Sequence, residues 1–214
     1  MNVEIISKDA NWLDTIWVAI RTCKSAMTPA QLFKAAKEKP AADKIRLIKA
    51  VYKSKHLSVF EHVKVTFGVE GVSRALLAQY TRHRIGVSFS VQSQRYVSES
   101  AAKNNGEMFD YVTPGTVNGN EDSYAVFLTA MASAQKSYDD LISMGVPPED
   151  ARFILPGGAA TNFVTTLNLR ALFDVYEKRV TVKGAQWEIR NMLSEMMAQV
   201  IAAEPWVEEL IREE

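Results

Sequence analysis

The sequence predicts an α+β fold: a single domain over residues 1–214, with a small, mostly antiparallel sheet and several long helices. Two observations support this prediction. Short segments alternate apolar and polar residues or are rich in β-branched side chains, whereas longer segments repeat apolar residues at helical spacing. The chain also contains no internal repeat, low-complexity tract or long linker, and its length suits one domain.

The N-terminal part begins with a strand and continues with helices. Residues 3–6 form a short apolar run typical of a strand, and residues 11–21 repeat apolar side chains at helical spacing. Thr28 followed by proline predicts a helix start, because the hydroxyl caps the helix and proline fits its first turn. Residues 41–55 again carry one apolar helical face.

The middle of the chain changes period. Residues 63–69 alternate valine or phenylalanine with lysine, threonine and glycine, which predicts a half-buried strand. Residues 72–81 predict a helix that ends directly at Arg82-His83-Arg84. Residues 98–120 are polar and contain Asn-Gly and Pro-Gly steps, which indicates a loop.

The C-terminal half is mainly helical. Residues 121–144 predict a long helix, and residues 147–153 predict a short one that begins with two prolines. Residues 161–169 are rich in β-branched side chains and predict a strand. Helices over residues 172–179 and 185–203 complete the prediction.

Composition excludes several classes of protein. Lys and Arg together number 25, as do Asp and Glu, and this balance argues against a nucleic-acid partner because such proteins normally carry a basic surplus. Three histidines and one cysteine predict no metal site and permit no disulfide within the chain. The single cysteine, the absence of a leader-like N-terminus and the lack of a long apolar run predict a cytoplasmic protein without a membrane partner.

Any phosphate binding by this chain must depend on arginine side chains. No G-x-G-x-x-G follows a predicted strand, and no G-x-x-x-x-G-K-[ST] occurs. Arg82-His83-Arg84 is followed, after eight mainly small or hydroxyl-bearing residues, by Ser93-Gln94-Arg95-Tyr96. Guanidinium groups match phosphate oxygens, so this pattern indicates a pocket for a phosphorylated polar ligand. Taken alone, Arg-His-Arg is equally typical of a solvated helix end.

The same residues resemble the signature of the flavin-dependent thymidylate synthases, RHR-x(7 or 8)-S-x-R-Y. Other elements of that family are matched in order along the chain: Arg21-Thr22-Cys23, Phe60-Glu61-His62, Ala151 to Pro156, Asn168-Leu169-Arg170, Lys178-Arg179 and Ala185 to Ile189. The chain is therefore similar to this family over most of its length.

The resemblance implies reductive methylation of dUMP to dTMP in a homotetramer whose active sites are shared between subunits. Methylenetetrahydrofolate would supply the carbon, FADH2 the hydride, and NADPH would reduce the FAD again. The residues that match the family's dUMP contacts are Gln79, Arg82, Ser93, Gln94, Arg95 and Arg152. The residues that match or lie near its cofactor positions are Cys23, Ser58, His83, Arg84, Asn168, Arg170 and Asp174. Arg179 matches the catalytic arginine at the uracil ring, where it would favour negative charge at N3 and O4.

Two departures from the family pattern leave other interpretations open. Val91 stands where many members carry Glu or Gln, and Asp174 stands where Asn or His often contacts the flavin. An ionised aspartate accepts hydrogen bonds but donates none. The alternatives are a non-catalytic nucleotide-binding or regulatory module, and a helical nucleic-acid-binding protein that uses residues 82–95 as a basic patch.

Overall fold

The computed structural model describes residues 1–211, and the chain divides into two compact units. Unit 1 comprises Met1–Asn2, Val69–Arg82 and Ser90–Phe163, and unit 2 comprises Val3–Gly68, His83–Phe89 and the chain from Val164 onwards. The predicted α+β class is confirmed. That residues 1–214 form one domain remains a prediction.

Four strands form one antiparallel sheet in the order β1-β2-β4-β3. Their bounds are β1 Asn2–Lys8, β2 Lys64–Ser73, β3 Val87–Val91 and β4 Ala160–Asn168. Strands β1, β2 and β4 confirm the three that the sequence predicts. Strand β3 is not predicted, although Val87, Phe89 and Val91 are half-buried and alternate with two exposed serines.

Helices surround these strands along the chain. The α-helices within residues 1–211 are α1 Trp12–Thr22, α2 Pro29–Glu38, α3 Ala41–Lys53, α4 Arg74–Tyr80, α5 Gly115–Asn118, α6 Glu121–Ser143, α7 Pro148–Ala151, α8 Leu169–Tyr176, α9 Trp187–Ala203 and α10 Glu208–Ile211. Short 3₁₀ turns occupy Leu57–His62, Arg152–Ile154 and Pro205–Val207, and a π-helical turn occupies Glu177–Thr181. In the part that the structure describes, no helix combines the length and apolar character needed to cross a membrane.

Local capping explains where two of these helices start. Thr28 caps α2 as predicted: its side chain accepts a hydrogen bond from the Gln31 backbone, and the Gln31 side chain accepts one from Thr28. Helix α8 starts three residues earlier than residue 172 because the Asn168 side chain accepts a hydrogen bond from Ala171 N. The same asparagine therefore ends β4 and begins α8.

Each unit has its own buried aromatic contacts. In unit 2, the rings of Tyr52, Phe60 and Phe173 meet edge to face, which joins α3, the first 3₁₀ turn and α8. In unit 1, Tyr80 at the end of α4 stacks on Phe163 of β4, with ring centroids 5.5 Å apart. These contacts fix the ends of the two helices, α4 and α8, that lead into the predicted functional segments.

The polar segment 98–120 is anchored to α6. Gln135, which is buried, accepts a hydrogen bond from Phe109 N and donates one to Glu99 O at 3.0 Å. Tyr111 forms a β-bridge with Ala159. The predicted loop therefore includes the short helix α5 and is held at several points within unit 1.

Candidate active site

All the residues matched to dUMP contacts lie in unit 1, on three separate segments. Gln79 is half-buried in α4, and Arg82 is exposed just after the C-cap of that helix. Ser93, Gln94 and Arg95 follow β3 in a turn whose first residue organises it: the Ser93 side chain accepts a hydrogen bond from Arg95 N. Ser93 O also accepts from the backbone N–H groups of the two residues after Arg95, at 3.2 and 2.9 Å. A serine-led turn of this kind is set by local hydrogen bonds.

Two of the predicted phosphate-binding arginines meet at Glu149, at the start of α7. The Arg95 guanidinium forms an ion pair with the Glu149 carboxylate at 2.6 Å, and Arg152 Nε donates to Glu149 O at 3.0 Å. The Arg95 side chain is 57% exposed, so solvent screens this pair. The structure thus brings together two guanidinium groups that are far apart in sequence, around a single acidic residue that the sequence analysis did not assign to the site.

Half-buried charges lie close to these arginines. Burial raises the pKa of the Glu99 carboxyl; Arg74 and the polar side chain of Gln94 lower it, and Asp110 raises it further. Burial also lowers the pKa of Arg74, with Glu99 raising it and Arg152 lowering it. Arg74 and Arg152 are therefore near enough to repel each other, while Glu99 offsets part of that repulsion.

Three of the residues matched to the cofactor line one cavity of about 360 Å³ in unit 2. These are Asn168, Arg170 and Asp174. Lining residues that the sequence analysis did not assign to the site are Tyr52, Lys55, Leu57, Ile85, Gly86, Ala171, Phe173 and Glu177. The cavity therefore combines apolar and aromatic surface with amide and charged groups, which is typical of a site for an aromatic ligand with polar substituents.

Two cations of this cavity are paired with carboxylates, and Lys55 lies over the ring of Tyr52, 5.6 Å from its centroid. Arg170 Nη1 forms an ion pair with Glu61, and Lys178 pairs with Asp174 at 2.7 Å. Asp174, at the position of an Asn or His in many family members, is thus bonded to a lysine one helical turn later.

The wall of the same cavity contains Gly86, at a position that only glycine can occupy. Its carbonyl accepts a hydrogen bond from Asn168 N at 3.1 Å, and its φ is +72°. A Cβ at this position would lie 2.5 Å from Asn168 Nδ2 and 3.0 Å from the Ala171 side chain. Only glycine allows this approach at a positive φ. The glycine directly after Arg84-Ile85 was the available sequence signal for a close backbone contact.

Arg179 and His83 also meet in unit 2. Arg179 lies in the π-helical turn and is half-buried, and its Nε donates a hydrogen bond to His83 Nε2 at 2.9 Å. The imidazole must be neutral at Nε2 to accept this bond, so the contact fixes both the tautomer of His83 and the orientation of the guanidinium. Short π-helical insertions occur frequently at functional sites.

Three other residues matched to the cofactor are exposed and do not line this cavity. Cys23 lies at the end of α1 as a free thiol, Ser58 lies in the first 3₁₀ turn, and Arg84 follows the signature histidine. Across residues 1–211, no group of three or more histidine, cysteine, aspartate or glutamate side chains is arranged to hold a metal ion.

Known proteins resemble the chain closely in sequence. A flavin-dependent thymidylate synthase of Geobacter sulfurreducens is 41% identical over 167 residues, which is 78% of this chain and 69% of that protein. One of Nitratidesulfovibrio vulgaris is 37% identical over 209 residues, covering 91% of this chain and 80% of that protein. The family described as "Thymidylate synthase complementing protein" matches residues 4–206. The chain belongs to the flavin-dependent thymidylate synthase family.

A solved structure shares the fold of this chain. It is the UMP/dUMP methylase PolB from Streptomyces cacaoi bound with 5-Br dUMP, with a TM-score of 0.80. The match covers 99% of this chain and 94% of that chain at 22% sequence identity. At this identity the likeness establishes the fold, and the family assignment rests on the sequence matches.

Proposed function

We propose that the chain catalyses the reductive methylation of dUMP to dTMP with methylenetetrahydrofolate as the carbon donor. The observation that carries this proposal is the unit 2 cavity. Three side chains that match the family's flavin contacts line it. Membership of the family supports the reaction class. In the overall change, C5 of the pyrimidine loses a proton and gains the one-carbon unit of the folate together with a hydride.

The lining of the cavity fits part of a flavin nucleotide. Leu57, Ile85 and Phe173 offer apolar surface to a ring, and Asn168 and Arg170 offer hydrogen-bond donors. Bound FADH2 would supply the hydride, and NADPH would restore the reduced flavin. The protein's own contribution is to hold and orient the reactants.

In unit 1, the proposed site for the dUMP phosphate is the turn that begins at Ser93, together with Arg95 and Arg152. Two guanidinium groups, which match phosphate oxygens, are brought to the same place by Glu149. A phosphate would compete with Glu149 for Arg95, and this exchange is easy because the ion pair is exposed. Gln79 and Arg82 complete the proposed nucleotide contacts.

Arg179 is the proposed catalytic residue in unit 2. Its guanidinium would favour negative charge at N3 and O4 of the uracil ring, which makes C5 a better carbon nucleophile. The hydrogen bond from Arg179 Nε to His83 supports this role, because a guanidinium held at one edge loses less freedom when it meets the ring. No cysteine or serine is needed to attack the pyrimidine in this scheme.

The test of the proposal is flavin content followed by turnover. Purified protein is expected to bind FAD, measured by visible absorption, to lose that absorption with NADPH, and to form dTMP from dUMP and methylenetetrahydrofolate. Protein that takes up no added FAD would contradict the proposal. Protein that binds FAD and dUMP but forms no dTMP would favour a non-catalytic nucleotide-binding module, the interpretation that the departures at Val91 and Asp174 leave open.

The assembly and the location belong to the same proposal. We expect a homotetramer with active sites shared between subunits, measured by light scattering, in the cytoplasm. A fully active monomer would contradict the shared sites.

A further inference from the structure

Gln92, the residue just before the proposed phosphate-binding turn at Ser93, borders a cavity on one side and not a packed core. Gln92 lines a cavity of about 270 Å³ in unit 1, together with Glu99, Asp110, Thr161 and Asn162. Most of the lining is polar, and its apolar side chains are those of Val97 and Ala160. Because little apolar packing holds the segment from this side, hydrogen bonds must set its position.

Hydrogen bonds from Asn162 hold Gln92 on one side. Gln92 N donates to Asn162 O at 2.9 Å, and Asn162 Nδ2 donates to Gln92 Oε1 at 2.8 Å. Gly71 N donates to the side-chain oxygen of Asn162. The amide of Gln92 is therefore used inside unit 1 to fix the chain just before Ser93.

Arg74 holds the same residue from another direction. Arg74 Nη2 donates to Gln92 O at 3.0 Å, and Arg74 N donates to Ala159 O at 3.0 Å. The first contact spans 18 residues of sequence, from the first residue of α4 to the end of β3. A guanidinium bonded to a backbone carbonyl makes a charge-assisted hydrogen bond, which is among the stronger contacts a loop can have.

The next residue of the turn, Gln94, is buried. It is 9% exposed, and its side-chain Nε2 has no hydrogen-bond partner among residues 1–211. The contribution of Gln94 to a phosphate would therefore come from its backbone N–H.

Arg74 is half-buried, and the charges that face it are those of Glu99 and Arg152. Burying a charge that is not fully paired costs stability, so such a group usually persists where a site needs it.

We propose that Arg74 is a positioning residue for the dUMP phosphate: its guanidinium fixes the Gln92 carbonyl, so that the turn at Ser93 meets the phosphate without rearrangement. This inference rests on the proposed function. The Arg74 side chain does not contact substrate in this role. Its loss therefore weakens dUMP binding and leaves the chemical step unchanged.

The experiment compares two variants of the flavin-loaded full chain. Arg74→Met removes the hydrogen-bonding group and is expected to raise the dUMP dissociation constant about tenfold, measured by calorimetry. Arg74→Lys keeps a cationic donor for the Gln92 carbonyl and is expected to recover most of that loss. The turnover rate at saturating dUMP and the flavin content are expected to be unchanged for both.

The control is Lys136→Met, which removes an exposed cation of the same unit and should change nothing. If the parent protein binds no dUMP, the proposed function itself is wrong. If the parent binds dUMP and Arg74→Met binds it equally well, or if Arg74→Lys is as weak as Arg74→Met, the positioning role is wrong. If Arg74→Met does not fold, Arg74→Gln, whose side chain is polar but shorter, takes its place in the same comparison.

Discussion

Unit 1 contains the six residues matched to the family's dUMP contacts, which come from turns and helix ends. Unit 2 contains Arg179, which is matched at the uracil ring, and every residue matched to the cofactor, three of which line one cavity. In unit 1, Arg95 and Arg152 converge on Glu149. In unit 2, Arg170 and the lysine beside Asp174 each have a carboxylate of their own.

The difference suggests two ways of preparing a site. Unit 1 brings two guanidinium groups to one acidic residue, which suits a compact dianion such as a phosphate. Unit 2 keeps its charges balanced and offers apolar surface and an amide, which suits a large ligand with dispersed polar groups. If the two sets are independent, a substitution in one unit should change the binding of one ligand only.

The largest effect is expected for Arg179→Ala. Removing the charge that would stabilise the uracil anion should lower dTMP formation by about 10²- to 10³-fold, while flavin content stays near that of the parent. Turnover and visible absorption measure the two quantities. The matched control is Arg190→Ala, which removes an exposed arginine of α9 in the same unit. Equal loss of flavin and turnover would show that Arg179 serves the cofactor.

The strongly periodic parts of the fold were predictable from sequence, and the missed parts depended on contacts between distant residues. Helix α6 and the Thr28 cap of α2 follow from local patterns. Strand β3 was missed because its serines were interpreted as pocket residues, although the alternation was visible. The π-helical turn at Arg179 has no local signal, since single residues of such turns are placed by tertiary packing.

In the candidate site, too, some residues were predictable from sequence and others were not. The arginines were predictable because guanidinium chemistry and the family resemblance both single them out. Their partners were not: Arg170 and Glu61 are 109 residues apart, and Arg179 and His83 are 96 apart. Spacing along the chain carries no information about such pairs.

The next largest effect is expected for Arg152→Ala in unit 1. Loss of a charge-assisted contact to phosphate should raise the KM for dUMP by about 10- to 100-fold, with flavin content unchanged. Steady-state kinetics at fixed folate measure the change. Lys136→Ala, which removes an exposed cation of α6 in the same unit, is the control. A KM equal to that of the parent would remove Arg152 from the proposed phosphate site.

Gly86→Ala should affect unit 2 alone. The added Cβ meets Asn168 and Ala171 at a positive φ, so the free energy of unfolding should fall by about 1–3 kcal/mol. Displacement of Asn168 should also weaken FAD binding while dUMP affinity stays the same. Gly184→Ala separates strain from collision, because Gly184 also has a positive φ but its Cβ would have no neighbour within 4 Å. Equal destabilisation by both variants would show that strain alone is responsible.

The smallest effect is expected for Glu99→Gln, in the pH dependence of stability. Burial raises the pKa of the Glu99 carboxyl above its ordinary value of 4.5, so the folded chain binds this proton more tightly than the unfolded chain. The parent therefore loses stability as pH rises through the folded-state pKa, and the neutral amide does not. Glu99→Gln should match the parent near pH 4 or somewhat below, and exceed it at about pH 8 by roughly 0.5 kcal/mol or less, because solvent screens a half-exposed group. Urea unfolding at both pH values measures the difference, with Glu107→Gln as the exposed control. A variant less stable than the parent at the higher pH would mean that the attraction to Arg74 outweighs the cost of burial, and that the charge of Glu99 stabilises unit 1.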